Sequence, residues 1–234
     1  MFMKILGVIP ARGGSKGVPR KNIKLLNGKS LLAYTSEIAL KSKLLDKVIL
    51  STEDEEILSV GKDLGLEIPF RRPEKLSLDN SKSIDVVLHA LNFFKEKGIH
   101  YDAICLLQPT NPFRSLGFLN KSIEKFINSK CDTLFSALEV PHEFNPHWTF
   151  KKNDKDYLEI STGEKEIISR RQDLPKSYYR DGSIYITKTE IIFDRKSFYG
   201  SAISYIDASN EINVNIDTLE DWEKAESVAR KLNL

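Results

Sequence analysis

Ile5-Leu6-Gly7-Val8-Ile9-Pro10-Ala11-Arg12-Gly13-Gly14-Ser15-Lys16-Gly17-Val18-Pro19-Arg20-Lys21-Asn22 is an apolar run that passes directly into a basic, glycine-rich loop. The run, residues 5–9, reads as a buried strand. The loop holds three glycines (Gly13, Gly14, Gly17) and four cations (Arg12, Lys16, Arg20, Lys21). In open α/β sheets, ligands bind beyond the carboxyl ends of the strands. Glycine lets backbone N–H groups approach an anion, and Arg and Lys neutralise it. The stretch therefore predicts a polyphosphate site at the end of the first strand, although a basic turn standing in solvent has the same composition.

Two known phosphate loops do not fit. A Walker A loop needs G-x-x-x-x-G-K-[ST]; Gly28-Lys29-Ser30 supplies its end, but Ile23 stands where the first glycine is required. A dinucleotide fingerprint needs G-x-G-x-x-G, and Gly13-Gly14-Ser15-Lys16-Gly17 lacks that spacing. The charge of the loop suits a nucleoside triphosphate better.

Composition narrows the partners. The 234 residues suffice for one large α/β domain or one domain with an insertion, and 41% are apolar, an ordinary core. A net charge of +2 argues against bulk binding of nucleic acid or an anionic membrane. Cys105 and Cys131 are the only cysteines, so no disulfide framework is expected and a reducing, cytoplasmic setting is. Cys105 lies in an apolar run, as a small core residue. Neither a signal peptide nor a membrane span is expected.

Strand and helix patterns then alternate. Residues 3–9, 47–51, 103–107 and 133–138 read as strands, and 66–70 as a short one. Residues 30–42, 53–64, 81–97 and 115–129 read as helices; on 81–97, Ile84, Val87, Leu88, Leu91 and Phe94 share a face. The rhythm breaks over 140–178, which carries Pro141, Pro146 and Pro175, aromatic clusters and a charged stretch. It resumes with strands at 182–187, 202–206 and 212–216, then a helix capped by Asp217 or Thr218 that runs to about 232. This predicts an α/β fold: a mostly parallel sheet with helices on both faces, in a single domain over 1–234 with 140–178 as an insertion.

With these elements placed, the motifs form a series. The loop from Ile9 to Asn22, Leu50-Ser51-Thr52-Glu53-Asp54, Arg72-Pro73-Glu74, and Leu106-Leu107-Gln108-Pro109-Thr110-Asn111-Pro112-Phe113-Arg114 resemble motifs of bacterial CMP-sialic acid synthetases, the acylneuraminate cytidylyltransferases. So do Arg171-Gln172-Asp173-Leu174-Pro175, Asp181-Gly182-Ser183-Ile184-Tyr185 and Ile216-Asp217-Thr218-Leu219-Glu220-Asp221-Trp222. The resemblance covers nearly the whole chain, in order. It implies a Rossmann-like nucleotidyltransferase fold in which 140–178 is a dimerisation insertion. It also implies transfer of CMP from CTP to the anomeric hydroxyl of a nine-carbon 2-keto sugar acid of the N-acetylneuraminic or legionaminic type, with Mg²⁺ or another divalent cation and release of pyrophosphate. A synthetase of the CMP-Kdo kind and a catalytically silent nucleotide- or sugar-binding module are the rival readings.

The resemblance assigns Arg12, Ser15, Lys16 and Lys21 to the triphosphate. That charge cannot leave water without paired cations. Leaving pyrophosphate gains charge in the transition state, which makes Arg12 and Lys21 catalytic candidates; Lys16 and Lys21 also read as plain surface lysines. Asn22, Arg72 and Ser83 are assigned to the nucleotide and Gln108 to the sugar, a Gln that in isolation would read as tying down its own loop. Arg171, Tyr185, Phe198 and Tyr199 complete the sugar set. An arginine fork suits a carboxylate, and aromatic faces suit a pyranose; the resemblance implies that Phe198 and Tyr199 are an aromatic pair reaching the partner subunit's sugar site, and either also suits a core.

Asp217 is the metal and third catalytic candidate, besides its fitness as a helix cap. The family pattern is Asp-x-Asp, and Asn215-Ile216-Asp217 departs from it, leaving Asn215 as an uncharged second ligand. Asp181 stands where the family more often has Asn. Trp148 stands where sialic-acid enzymes often have Lys, which implies a less polar acyl sugar such as legionaminic acid. His142-Glu143-Phe144-Asn145-Pro146-His147 only superficially matches H-E-x-x-H: it is one residue too long and Pro146 forbids the helix. His89 reads as structural.

Overall fold

Successive residues of the first strand go to opposite sides of the sheet, as a pleated strand requires. Ile5 and Ile9 enter one apolar cluster, and Leu6 and Val8 enter another. The computed structural model describes residues 3–232. In chain order the elements are β1 (Ile5–Pro10), β2 (Leu25–Leu26), β3 (Lys29–Ser30), α1 (Leu31–Lys41), β4 (Lys47–Ser51), α2 (Glu55–Asp63), α3 (Ser83–Glu96), β5 (Ala103–Leu106), α4 (Leu116–Asn128), β6 (Thr133–Glu139), β7 (Phe150–Lys152), β8 (Leu158–Ile160), β9 (Tyr178–Lys188), α5 (Thr189–Arg195), β10 (Ile203–Asp207) and α6 (Leu219–Lys231).

The main sheet has the order β10-β6-β9-β5-β1-β4. Neighbours pair in parallel except at β9, which runs antiparallel to both β5 and β6. The sheet is thus mostly parallel, as expected, with one reversed strand. Helices α1, α2 and α4 cover one face through Leu32, Ile57, Leu119 and Phe126. Helices α3 and α5 cover the other through Val87, Leu91, Phe94 and Ile192. Since β4 lies on one side of β1 and β5 on the other, the winding reverses at β1. Its carboxyl end is the switch point where such sheets bind ligands.

A third apolar cluster lies beside that end. Val18 from the loop, Leu26, Leu31 and Tyr34 pack with Phe113, Ile216 and Trp222. Helix α6 is started by Thr218, whose hydroxyl accepts the Asp221 N–H at 3.2 Å, while Asp221 accepts the Thr218 N–H at 2.9 Å. This reciprocal cap fixes residues 215–218 against the loop.

Three expected elements differ. Residues 212–216 form no strand. Their alternation is real, with Val214 and Ile216 buried, but it serves the third cluster, and Ile216 N–H reaches the Thr110 carbonyl at 2.8 Å instead of joining a sheet. Residues 66–70 contribute only a single bridge between Ile49 and Glu67. The strand expected at 182–187 begins at Tyr178, because Tyr178–Arg180 continue the ladder on β6 beyond a bulge near Ser136. The β2–β3 hairpin turns through Asn27-Gly28, both at positive φ, the geometry for which Asn-Gly is favoured.

The segment 140–178 leaves where β6 ends and returns where β9 starts, with Glu139 and Tyr178 still paired. It carries the short hairpin β7–β8. Phe144, Phe150, Tyr157 and Leu158 stand exposed on it. Among the described residues, no helix is long and apolar enough to cross a membrane.

Candidate active site

The loop after β1 is held from below. Ala11 N–H bonds the Ser51 carbonyl at 3.0 Å, and the Asn22 amide reaches back to the Arg12 carbonyl at 2.9 Å. Gly13 N–H donates to Glu53 Oε1 at 2.7 Å. Arg20 takes a left-handed backbone (φ 54°) and pairs with Asp54 and Glu56. That pairing draws the Asp54 carboxyl down to about 2, the Arg20 hydrogen bond being the largest cause and partial burial opposing it. Lys21 turns the other way: its Nζ donates to the Ile216 carbonyl at 2.6 Å and lies 3.4 Å from Asp217 Oδ1.

These constraints enclose a cavity of about 480 Å³ at the end of β1. Its walls include Arg12, Ser15, Lys16, Lys21, Asn22, Arg72 and Ser83, so the whole nucleotide set expected from sequence faces one space. The volume lies within the range of small-ligand sites. Arg72 is buried; its Nε meets Ser51 Oγ at 3.1 Å and its Nη2 the Ser51 carbonyl. Burial draws its pKa down to about 10, with Glu53 opposing and Arg12 assisting. It is a fixed donor on the floor, not a mobile surface charge.

Asp79, which sequence reasoning missed, spans the mouth. It lies 3.1 Å from Arg12 and 2.6 Å from Lys16. The carboxylate stands in for an anion on two cations assigned to the triphosphate, and the Lys16 hydrogen bond is the main cause of its lowered pKa.

Two further cavities adjoin the first through Gln108. One, of about 520 Å³, shares Gln108, Thr110 and Asp217 with it and adds Arg180, Tyr185 and Asn215. The other, of about 420 Å³, adds Phe198 and Tyr199. Gln108, Tyr185, Phe198 and Tyr199 are therefore brought together, and Phe198 packs beside Tyr185 with ring centroids 6.1 Å apart. Gln108 is placed by buried Arg114, which bonds the Gln108 carbonyl at 3.3 Å and the Ser183 carbonyl at 2.6 Å. Burial draws Arg114 down to about 10. Asp181 proves to be a structural acceptor, taking bonds from Ser136, Ser183 and Asn213.

Arg171 and Trp148 do not join this group within the chain. Arg171 lines a separate cleft of about 310 Å³ with His142 and Lys176. Trp148 packs on His142 and spends its N–H on the Ile168 carbonyl at 2.5 Å. It lines neither sugar-side cavity of its own chain. Both belong to the insertion, whose fold is set by its own turns. His89, expected to be structural, is half-buried with its ring edge-on to Phe70 at 4.5 Å. Burial, helped by Arg72, lowers its pKa.

Asp217 stands exposed where the first two cavities meet, and Asn215 donates its amide to Asp217 Oδ2 at 2.7 Å. Among the described residues no group of three His, Cys, Asp or Glu side chains could hold a metal unaided. One carboxylate beside a cation-lined cavity is nevertheless a donor set that fits Mg²⁺, since that ion takes one or two carboxylates with phosphate oxygens and water.

The chain is similar in sequence to a pseudaminic acid cytidylyltransferase of Campylobacter jejuni, 35% identical over 95% of both chains. It is 33% identical to the CMP-N,N'-diacetyllegionaminic acid synthase of Legionella pneumophila, over 97% of this chain and 96% of that one. Its fold matches that of a CMP:2-keto-3-deoxy-manno-octonic acid synthetase solved with CTP (TM-score 0.74, 16% identity, 98% of this chain and 99% of the other). A family model described as cytidylyltransferase matches residues 6–232. Since that match runs from β1 through α6 and takes in every loop that walls the three cavities, this chain is a nucleotidyltransferase of the cytidylyltransferase family.

Proposed function

We propose that this enzyme transfers CMP from CTP to the anomeric hydroxyl of a nonulosonic acid and releases pyrophosphate. The observation that carries this reading is the meeting of two unlike cavities at Gln108, Thr110 and Asp217. One side has the cations for a triphosphate; the other has the Arg180 and aromatic walls suited to an acidic sugar. The relatives named for pseudaminic and legionaminic acids support the nine-carbon class.

In this reading the triphosphate lies along the loop, its terminal phosphates toward Arg12, Lys16 and Lys21, and Asn22, Arg72 and Ser83 hold the nucleoside. The sugar hydroxyl oxygen bonds to the α-phosphorus as the bond to the bridging oxygen breaks. The hydroxyl proton is lost and pyrophosphate carries away the bond electrons. Lys21 and Arg12 act on the leaving group, because fixed cations stabilise charge that develops only there. Asp217, with Asn215 beside it, would hold Mg²⁺, which when bound supplies further positive charge to the phosphate oxygens.

The enzyme works as a homodimer in the cytoplasm. Support for the dimer is the exposed Phe144, Phe150, Tyr157 and Leu158 on a segment too irregular to bury them itself. Support for a reducing compartment is that Cys105 and Cys131 are both free and buried. The test is pyrophosphate release from CTP with pseudaminic, N,N'-diacetyllegionaminic and N-acetylneuraminic acids and an eight-carbon 2-keto-3-deoxy acid. Release with a nine-carbon acid supports the reading, and CTP bound without release with any acid overturns it. Light scattering at twice the chain mass supports the dimer; an active monomer overturns it.

A further inference from the structure

The resemblance places the arginine for the sugar's carboxylate at position 171, but within its own chain Arg171 lines another cleft. The sugar-side cavities carry a different one. Arg180, on β9, lines both of them, on the far side of Gln108 from the triphosphate cations. Its Nη1 donates to Tyr185 Oη at 2.9 Å, so the guanidinium is oriented from within its own strand. Burial raises the Tyr185 pKa and the Arg180 hydrogen bond opposes that rise, so the phenol stays a neutral partner at neutral pH.

Among the described residues Arg180 has no counter-ion: its guanidinium makes that one hydrogen bond and no ion pair. The adjacent Asp181 points its carboxylate into Ser136, Ser183 and Asn213. The cavity against Phe198 and Tyr199 includes Lys82, Arg180 and Lys196 in its wall and, among the described residues, no carboxylate. An oriented guanidinium with most of its donors open, in a cation-walled space between aromatic rings, is built for a planar anion that accepts two parallel bonds. The cavity proposed for the triphosphate has its own cations, Arg12, Lys16 and Lys21, and Arg180 is not in its wall.

We infer that Arg180 binds the C1 carboxylate of the acid substrate, with Tyr185 as its positioning residue, and that this pair makes the enzyme select acids over neutral sugars. The inference rests on the proposed function. Steady-state pyrophosphate release is measured for the full-length protein, Arg180→Lys and Arg180→Met, with the nine-carbon acid of the panel that the unmodified protein uses best and with the C1 amide of that acid. Arg180→Met is expected to raise KM for the acid about tenfold or more, the cost of a lost charge-assisted bond. KM for CTP is expected to stay within about twofold, and the preference for acid over amide to collapse toward one. Arg180→Lys, which keeps charge but not the fork, is expected to fall between, and it carries the test if the Met variant does not fold. An acid-over-amide preference that survives both variants overturns the assignment while leaving the proposed function standing. A rise in KM for CTP equal to that for the acid places Arg180 on the nucleotide and also overturns it. An unmodified protein that turns over no acid overturns the proposed function and this assignment together.

Discussion

Gly17 lies so close to Asp217 that a Cβ built on it would stand 1.9 Å from the Asp217 carbonyl oxygen. The loop after β1 and the residue whose carboxylate is proposed to hold the metal thus touch backbone to backbone, and any side chain at position 17 drives them apart. Gly14, in the same loop, has open space where its Cβ would be. Gly17→Ala is therefore expected to lower kcat/KM by about a hundredfold, the scale of an ångström-sized misplacement of reacting groups. Gly14→Ala is expected to change it far less. Initial rates for the two purified variants check this. Equal losses would mean that loop flexibility, not the contact with Asp217, is what matters.

Lys21 links the same two segments by charge. Its side chain is only 12% exposed, and its Nζ is bound to the Ile216 carbonyl. Replacing it with Met keeps the buried stem and removes the cation. The expected loss is in kcat, by roughly two to three decades, the usual cost of one donor to a developing charge. A loss confined to KM for CTP would make Lys21 a ground-state binder only.

Asp79 pairs with Arg12 and Lys16, the two cations proposed to meet the triphosphate, and so would compete with it. Asp79→Asn is expected to lower KM for CTP a few-fold with little change in kcat, since exposed pairs are individually weak. Raising the salt concentration should narrow the difference between variant and parent, because exposed charges are screened. KM measured at low and high salt decides it; an unchanged KM would show that the pair opens at no cost.

What the sequence disclosed follows from how local each signal is. The strand and loop from Ile5 to Asn22 and the cap at Thr218 depend on neighbouring residues, and they stand where expected. The members of the nucleotide set face one cavity because the loop after β1, the segment around Arg72 and the start of α3 surround it. The turn at Asn27-Gly28 is equally local, since Asn-Gly favours the positive φ that both residues adopt. Val214 and Ile216 alternate as a strand would, yet they pack in one cluster with Val18 and Phe113, distant in sequence. The reversal of β9 leaves no mark on its apolar pattern, because it is buried like its parallel neighbours. Arg171 and Arg180 look alike in sequence; only the path of the insertion separates them.

Asp54 permits a pH test of the loop's anchoring. Its Oδ1 accepts the Glu56 and Ile57 N–H groups at 3.1 and 3.0 Å, capping α2, and its carboxylate also grips Arg20 just before Lys21. Its pKa in the fold is about 2, against about 3.9 for a free Asp. Between those values the unfolded chain binds more protons than the folded one, so stability rises with pH across that window. The contribution is fully present above the unfolded value and is lost as pH falls through about 2. Asp54→Asn keeps an oxygen able to cap but loses the charge. Because the Arg20 side chain is 39% exposed, solvent screening holds the expected loss at pH 7 to about 1 kcal/mol. Urea melts of parent and variant at pH 7 and pH 3 should show the difference shrinking at the lower pH. A difference of equal size at both would place the effect in the cap and not in the Arg20 pair.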